Sequence, residues 1–194
     1  ANITFEYSAE QPRPNHIAYA LDADSGDATW VSYDHQLDHW TAAFVGEEAT
    51  KGPYETAAWG TFQAFTADAP AVDLPAPDVE LVEQRKSDGV RTVRARIRIP
   101  DDAREMRVAV SAPTEIVGAR LDGREMDLVG YAPAKEGRLL INYVNVPEEG
   151  AVLELSVATG TPVEMVVEYS QPGLPDDPVL KVPKRPADTM AAPS

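Results

Sequence analysis

The run His35-Gln-Leu-Asp-His39 comes nearest in this chain to the spacing of a metal site. On one helix face the two imidazoles could share a cation. A zinc-peptidase helix of the H-E-x-x-H kind needs Glu directly after the first His as general base, and that position holds Gln36. Two ligands without a committed third make a poor zinc site, so His35 and His39 read as solvated or capping residues. Asp22, Asp24 and Asp27 resemble the opening of a calcium loop, but Gly at its sixth position and Glu at its twelfth are replaced by Asp27 and Tyr33. They read as a polar hairpin turn, with an irregular calcium site as the alternative. No G-x-S-x-G elbow surrounds any serine and no Gly-rich phosphate cradle is present. The 32 acidic residues supply too many carboxylate pairs for any one pair to be informative. Arg94, Arg96 and Arg98 could form a basic stripe for an anionic partner, although a charged, solvated sheet face is the commoner reason for such a pattern. Tyr131, Tyr143 and Tyr169 could line a sugar-binding face or serve as core and edge aromatics. No residue is assigned as catalytic, cofactor-binding or metal-ligating.

The elements that must position these side chains read as all-β and mostly antiparallel. Residues 92–99 alternate strictly, with Val93, Ala95, Ile97 and Ile99 on one face and the three arginines on the other. Before them, residues 79–86 are joined through Asp88-Gly89, a strong two-residue hairpin signal because both positions must accept positive φ. That turn sets Glu83 opposite Arg94, a favourable cross-strand pair. It also sets Glu80 opposite Ile97, a misfit that calls for a bulge or an early strand end. Further strands are expected over 106–111, 115–121, 139–144, 152–158 and 163–169, separated by turn signals at Asp122-Gly123, Glu149-Gly150 and Gly160-Thr-Pro162. Short strands at this spacing argue for a β-sandwich, jelly-roll or immunoglobulin-like. In the N-terminal segment, residues 3–7, 16–22 and 28–33 look like strands. A short helix is expected from about His35 to Phe44, with Asp34 as its cap and Leu37, Trp40, Thr41 and Phe44 on one face. Trp30, Trp40 and Trp59 are expected to bury their rings.

Proline divides the chain. Three prolines fall within residues 67–78 and six within 171–194. The expected organisation is a β-rich segment with the short helix over 1–66, a linker or crossing over 67–78, the sandwich over 79–169 and a Pro-rich tail over 170–194. At 194 residues the chain can bury a full core. Its 43% hydrophobic and 25% charged residues are globular in balance, and no apolar run of about 18 residues could span a bilayer, so direct membrane insertion is not expected. The formal charge is −15, of which residues 1–78 hold −11. Such a surface opposes binding to nucleic acid, whose affinity rests on Lys and Arg displacing counterions. The absence of cysteine removes disulfides, thiolate catalysis and cysteine zinc sites together.

Two stretches carry a resemblance. The first is Pro14–Trp40, with Arg13-Pro-Asn15, Tyr19-Ala-Leu-Asp-Ala-Asp24, Gly26, Trp30, Ser32 and Trp40. The second is Ser170-Gln-Pro-Gly-Leu-Pro175 followed by Arg185-Pro-Ala-Asp-Thr-Met190. Between them lie the alternating Val93–Ile99 strand, Asp122-Gly-Arg124, Glu149-Gly150 and Pro162-Val163-Glu164. Together they resemble the soluble C-terminal domain of multi-pass membrane zinc aminopeptidases of peptidase family M twenty-eight, similar to the endoplasmic-reticulum metallopeptidases and their bacterial relatives. The resemblance implies a non-catalytic accessory domain, with the peptidase domain and the transmembrane helices of the same parent chain as its partners and a protein or peptide as a further one. It implies that those helices precede Ala1, that one more strand follows Ser194, and that this domain lies on the extracytoplasmic side; separately, the N-terminal residues show no basic-then-apolar run, so no export leader is expected in the chain itself. Zinc is expected in the peptidase domain and no cofactor here, since the family's two His and its Asp and Glu ligands have no counterpart among His16, His35 and His39. The alternative is a free-standing carbohydrate- or peptide-binding β-sandwich. A third reading is an enzyme with an unrecognised carboxylate site.

Overall fold

The computed structural model describes residues 8–56 and 60–192; the expected strand over 3–7 and Trp59 lie outside them. The chain divides into two compact units. The first takes Ala1–Thr56, Thr61–Leu74 and Gly173–Ser194, and the second Ala57–Gly60 and Pro75–Pro172.

The N-terminal run begins with β1 (Arg13–Asn15), β2 (Ala18–Leu21) and β3 (Ala28–Ser32). Strands β2 and β3 form the expected hairpin across Asp22–Asp27. The helix α1 (His39–Val45) is shorter than the sequence suggested and starts about four residues later. Its cap is Asp38, not Asp34. Asp38 accepts the amides of Trp40 and Thr41 while the Thr41 hydroxyl accepts the Asp38 amide, a reciprocal box that Asp34 cannot form. Two strands unmarked by alternation follow, β4 (Gly52–Thr56) and β5 (Gly60–Ala69), and complete a four-stranded sheet in the order β2-β3-β5-β4. Trp30, Val45 and Phe65 are buried together, and Phe44 meets the rings of Trp30 and Trp40 edge-on at 4.8 and 4.9 Å.

The second unit opens with β6 (Asp78–Ser87) and β7 (Val90–Arg98) around the Asp88-Gly89 turn, whose φ values of 51° and 79° are those the hairpin requires. Glu83 pairs with Arg94 as expected. The misfit at Glu80 is relieved by a register shift between Leu81 and Glu83, which seats Glu80 opposite Arg96 and leaves Val82 as the extra residue. Next come β8 (Glu105–Ser111), β9 (Ile116–Leu121), β10 (Arg124–Glu125), a one-turn helix α2 (Ala132–Lys135), β11 (Arg138–Val144), β12 (Ala151–Ala158) and β13 (Glu164–Ser170). They form an antiparallel sandwich: a five-stranded sheet, β10-β9-β12-β7-β6, faces a three-stranded one, β11-β8-β13. The two inner faces interdigitate Ile97, Met106, Val108, Ile116, Leu153, Leu155 and Val157, each exposed by 2% or less. The chain is therefore all-β and mostly antiparallel, with a sandwich and one short N-terminal helix.

The C-terminal segment returns to the first unit. A 3-10 turn over Pro178–Leu180 buries Leu180 beside Trp30 and Phe65, and β14 (Thr189–Ala191) pairs in parallel with β1, Arg13 opposite Thr189 and Asn15 opposite Ala191. Among the described residues, no helix is long and apolar enough to cross a membrane.

Candidate functional site

A polar cluster in the first unit joins residues 170 positions apart. Asn15, at the end of β1, is 1% exposed. Its Nδ2 donates to Asp38 Oδ2 at 2.7 Å, its Oδ1 accepts from the Arg185 guanidinium, and its carbonyl accepts the Ala192 amide at 2.8 Å. The Arg185 guanidinium lies 3.9 Å from the centroid of a Trp40 ring, and Trp40 Nε1 donates to the Pro183 carbonyl at 3.0 Å. A buried amide, a capping carboxylate and a stacked cation thus fasten the C-terminal segment to the start of α1.

Burial penalises the charged groups here, and their partners decide how far. Asp38 is desolvated, yet the hydrogen bonds from Asn15, Thr41 and Trp40 outweigh this and hold its carboxyl below the ordinary 3.8. Asp34 lacks that support. Its Oδ1 accepts the His16 amide at 2.9 Å, but Oδ2 is buried without a hydrogen-bond partner, and desolvation raises its pKa. His16 is shifted down by burial, with the Asp34 charge opposing. Arg185 is also shifted down by burial, against Asp38 and Asp34. Ser32 and Thr41 are fully buried, and the Ser32 Oγ accepts the Asp34 amide. The cluster's chemistry is that of a clamp.

The residues singled out from sequence fall elsewhere or in other roles. His35 precedes α1 and His39 is its first residue, both exposed, so they do not share a helix face. Asp22 Oδ1 accepts the amides of Asp24 at 2.8 Å and Ser25 at 3.2 Å, and those hydrogen bonds lower its pKa. This is the polar turn, closed on itself. Among the described residues, no three His, Cys, Asp or Glu side chains are grouped so as to hold a metal ion. The arginine stripe is matched by carboxylates: Arg98 meets Asp78 at 2.7 Å and Glu80 at 3.1 Å, Arg96 meets Glu80 at 3.9 Å, and Arg94 lies opposite Glu83. It is a balanced outer face. Tyr143 and Tyr169 sit on opposite edges of the three-stranded sheet, where the first donates to Asp122 Oδ2 at 2.7 Å and the second to the Pro75 carbonyl at 2.8 Å. Tyr131 is half-buried against the sandwich core. The three do not form one platform.

Arg13-Pro-Asn15, Trp40 and Arg185 all stand among the positions that carry the resemblance, but nothing in the sequence pattern brings them together. The local signal was Asp38-x-x-Thr41, a capping pair that fixes where α1 begins. The long-range pairing of Asn15 with Arg185 left no periodic trace. Comparisons with protein-family models, with curated proteins and with solved structures gave no match.

Proposed function

We propose that this chain is a non-catalytic accessory domain of a membrane-bound zinc aminopeptidase, on the extracytoplasmic side, acting by packing, by controlling substrate access or by holding a partner. One observation carries the reading. The two stretches that bear the family resemblance, Pro14–Trp40 and Ser170–Met190, lie at opposite ends of the sequence and meet through β1 and β14, Asn15 and Arg185. Motifs that serve one folded unit are expected to be kept in order together. The polar cluster is in keeping with a contact role as well, because Asn15, Asp38 and Arg185 bind one another.

The test is genetic and biochemical. The reading frame upstream of Ala1 is expected to encode a metallopeptidase domain and then several membrane-spanning helices. Excising residues 1–194 from that protein should leave its zinc ligands intact and change substrate range or assembly. An upstream region of any other kind, or excision that alters neither property, would overturn the proposal.

A further inference from the structure

The turn between β10 and α2 presents one apolar side chain almost wholly to solvent. Val129 is 93% exposed, more than any other large hydrophobic residue among those described. It stands second in the four-residue turn 128–131, which the Tyr131 amide closes by donating to the Leu128 carbonyl at 3.1 Å. Gly130 follows with a φ of 83°, the positive value that the third place of a type II turn requires. Among the described residues, the backbone of 127–130 makes one other hydrogen bond, from the Val129 amide to Asp127 Oδ1 at 2.9 Å. Both bonds lie within the loop. The segment is tied to the sandwich by side chains alone, Leu128 and Tyr131 resting half-buried on the core, so drawing it into an extended shape breaks no strand pairing.

The other exposed valines lack this freedom. Val79 and Val82 lie in β6, Val117 in β9, Val144 in β11 and Val166 in β13, all within paired strands. Val179 sits in the 3-10 turn, and Val182 precedes Pro183, whose ring obstructs the bond before it.

The place of the turn in the topology matters as much as its exposure. A cut there separates β1–β10 from α2 and β11–β14. In the larger sheet β12 lies between β9 and β7, and in the smaller β8 lies between β11 and β13. Each piece therefore holds a middle strand that the other piece flanks on both sides. Leu153 and Leu155 of β12 and Met106 and Val108 of β8 share one buried core. Parting the pieces requires taking both sheets apart.

We propose that the Val129–Gly130 peptide bond is a processing site for an endopeptidase whose primary pocket takes a small branched aliphatic side chain, and that its hydrolysis yields a folded two-chain form. Water is consumed across the bond, leaving a carboxylate on Val129 and an ammonium on Gly130. Nothing in this depends on a peptidase parent.

The test digests the 194-residue chain briefly with elastase under native conditions and follows the products by mass spectrometry and size-exclusion chromatography. The first cut within residues 8–192 should fall after Val129. The pieces 1–129 and 130–194 should elute together at the volume of the intact chain and keep its far-ultraviolet dichroism. Val129→Asp, at so exposed a position, should keep the parent melting temperature and slow that cut by about tenfold or more, since an apolar pocket rejects a carboxylate. A first cut at another bond, pieces that separate or unfold once formed, or a Val129→Asp chain cut after residue 129 at the parent rate would each overturn it.

Discussion

Replacing Arg185 with Ala isolates the clamp that joins the two ends of the first unit. The guanidinium stacks 3.9 Å from a Trp40 ring centroid in a partly desolvated place, a contact on the order of 1 kcal/mol. It also satisfies Asn15 Oδ1. With Arg185 gone, that oxygen, on a residue 1% exposed, loses its partner at a cost of about 2 kcal/mol. The loss should therefore be about 3 kcal/mol of local stability, or roughly a hundredfold more frequent opening of the C-terminal segment. The Ala192 amide, bonded to the Asn15 carbonyl at 2.8 Å, is the reporter. Native-state hydrogen exchange should show it accelerating about a hundredfold in Arg185→Ala, while the amides of β12 in the sandwich keep their rates. Arg185→Lys, which retains charge but not the planar fork, should fall between. Unchanged exchange at Ala192, or an equal acceleration throughout β12, would refute the clamp.

Three further outcomes are expected. Asp38→Ala removes the α1 cap and the Asn15 contact together and should cost about 1–2 kcal/mol by urea denaturation; an effect below about 0.3 kcal/mol would contradict the capping role. Leu153→Ala on the central strand β12 should cost about 3–4 kcal/mol, whereas Leu81→Ala on the edge strand β6 should cost under about 0.5 kcal/mol, so comparable melting temperatures for the two would contradict the assigned core. For Asp34 the sign follows from linkage. Its folded pKa is raised by burial, so between the ordinary 3.8 and that raised value the native state holds more protons than the unfolded one, and the stability this supplies is lost as pH rises through the window. Asp34→Asn, which cannot titrate, should gain relative to the parent between pH 3.5 and pH 7, and a pH-independent difference in unfolding free energy would count against a strained carboxylate.

Where the fold was legible in the sequence, a local rule was strict. Asp88-Gly89 demanded two positive φ values and so fixed the register of β6 against β7, and the Glu80 misfit then located the bulge within two residues. Turn signals at Asp122-Gly123, Glu149-Gly150 and Gly160-Thr-Pro162 set apart several of the runs that form β8, β9, β11, β12 and β13, and in β8 and β12 buried positions alternate with half-buried ones because one face lies in the core. The start of α1 was misplaced because Asp34 and Asp38 are equally good caps by type. Only the tertiary contact of Asp34 with the His16 amide, and the reciprocal bond of Asp38 with Thr41, separate them. Strand β5 escaped notice because its burial is irregular, and the β1–β14 ladder because parallel pairing of three-residue strands leaves no pattern. Of the candidate site, the residue types were visible and their convergence was not.

We propose that this chain works by contact and not by turnover. The most direct measurement is release of the amino-terminal residue from an unblocked oligopeptide by the purified chain, with zinc added and with chelator. No release above the uncatalysed rate is expected under either condition. Release that zinc restores after chelation, and that scales with chain concentration, would contradict it.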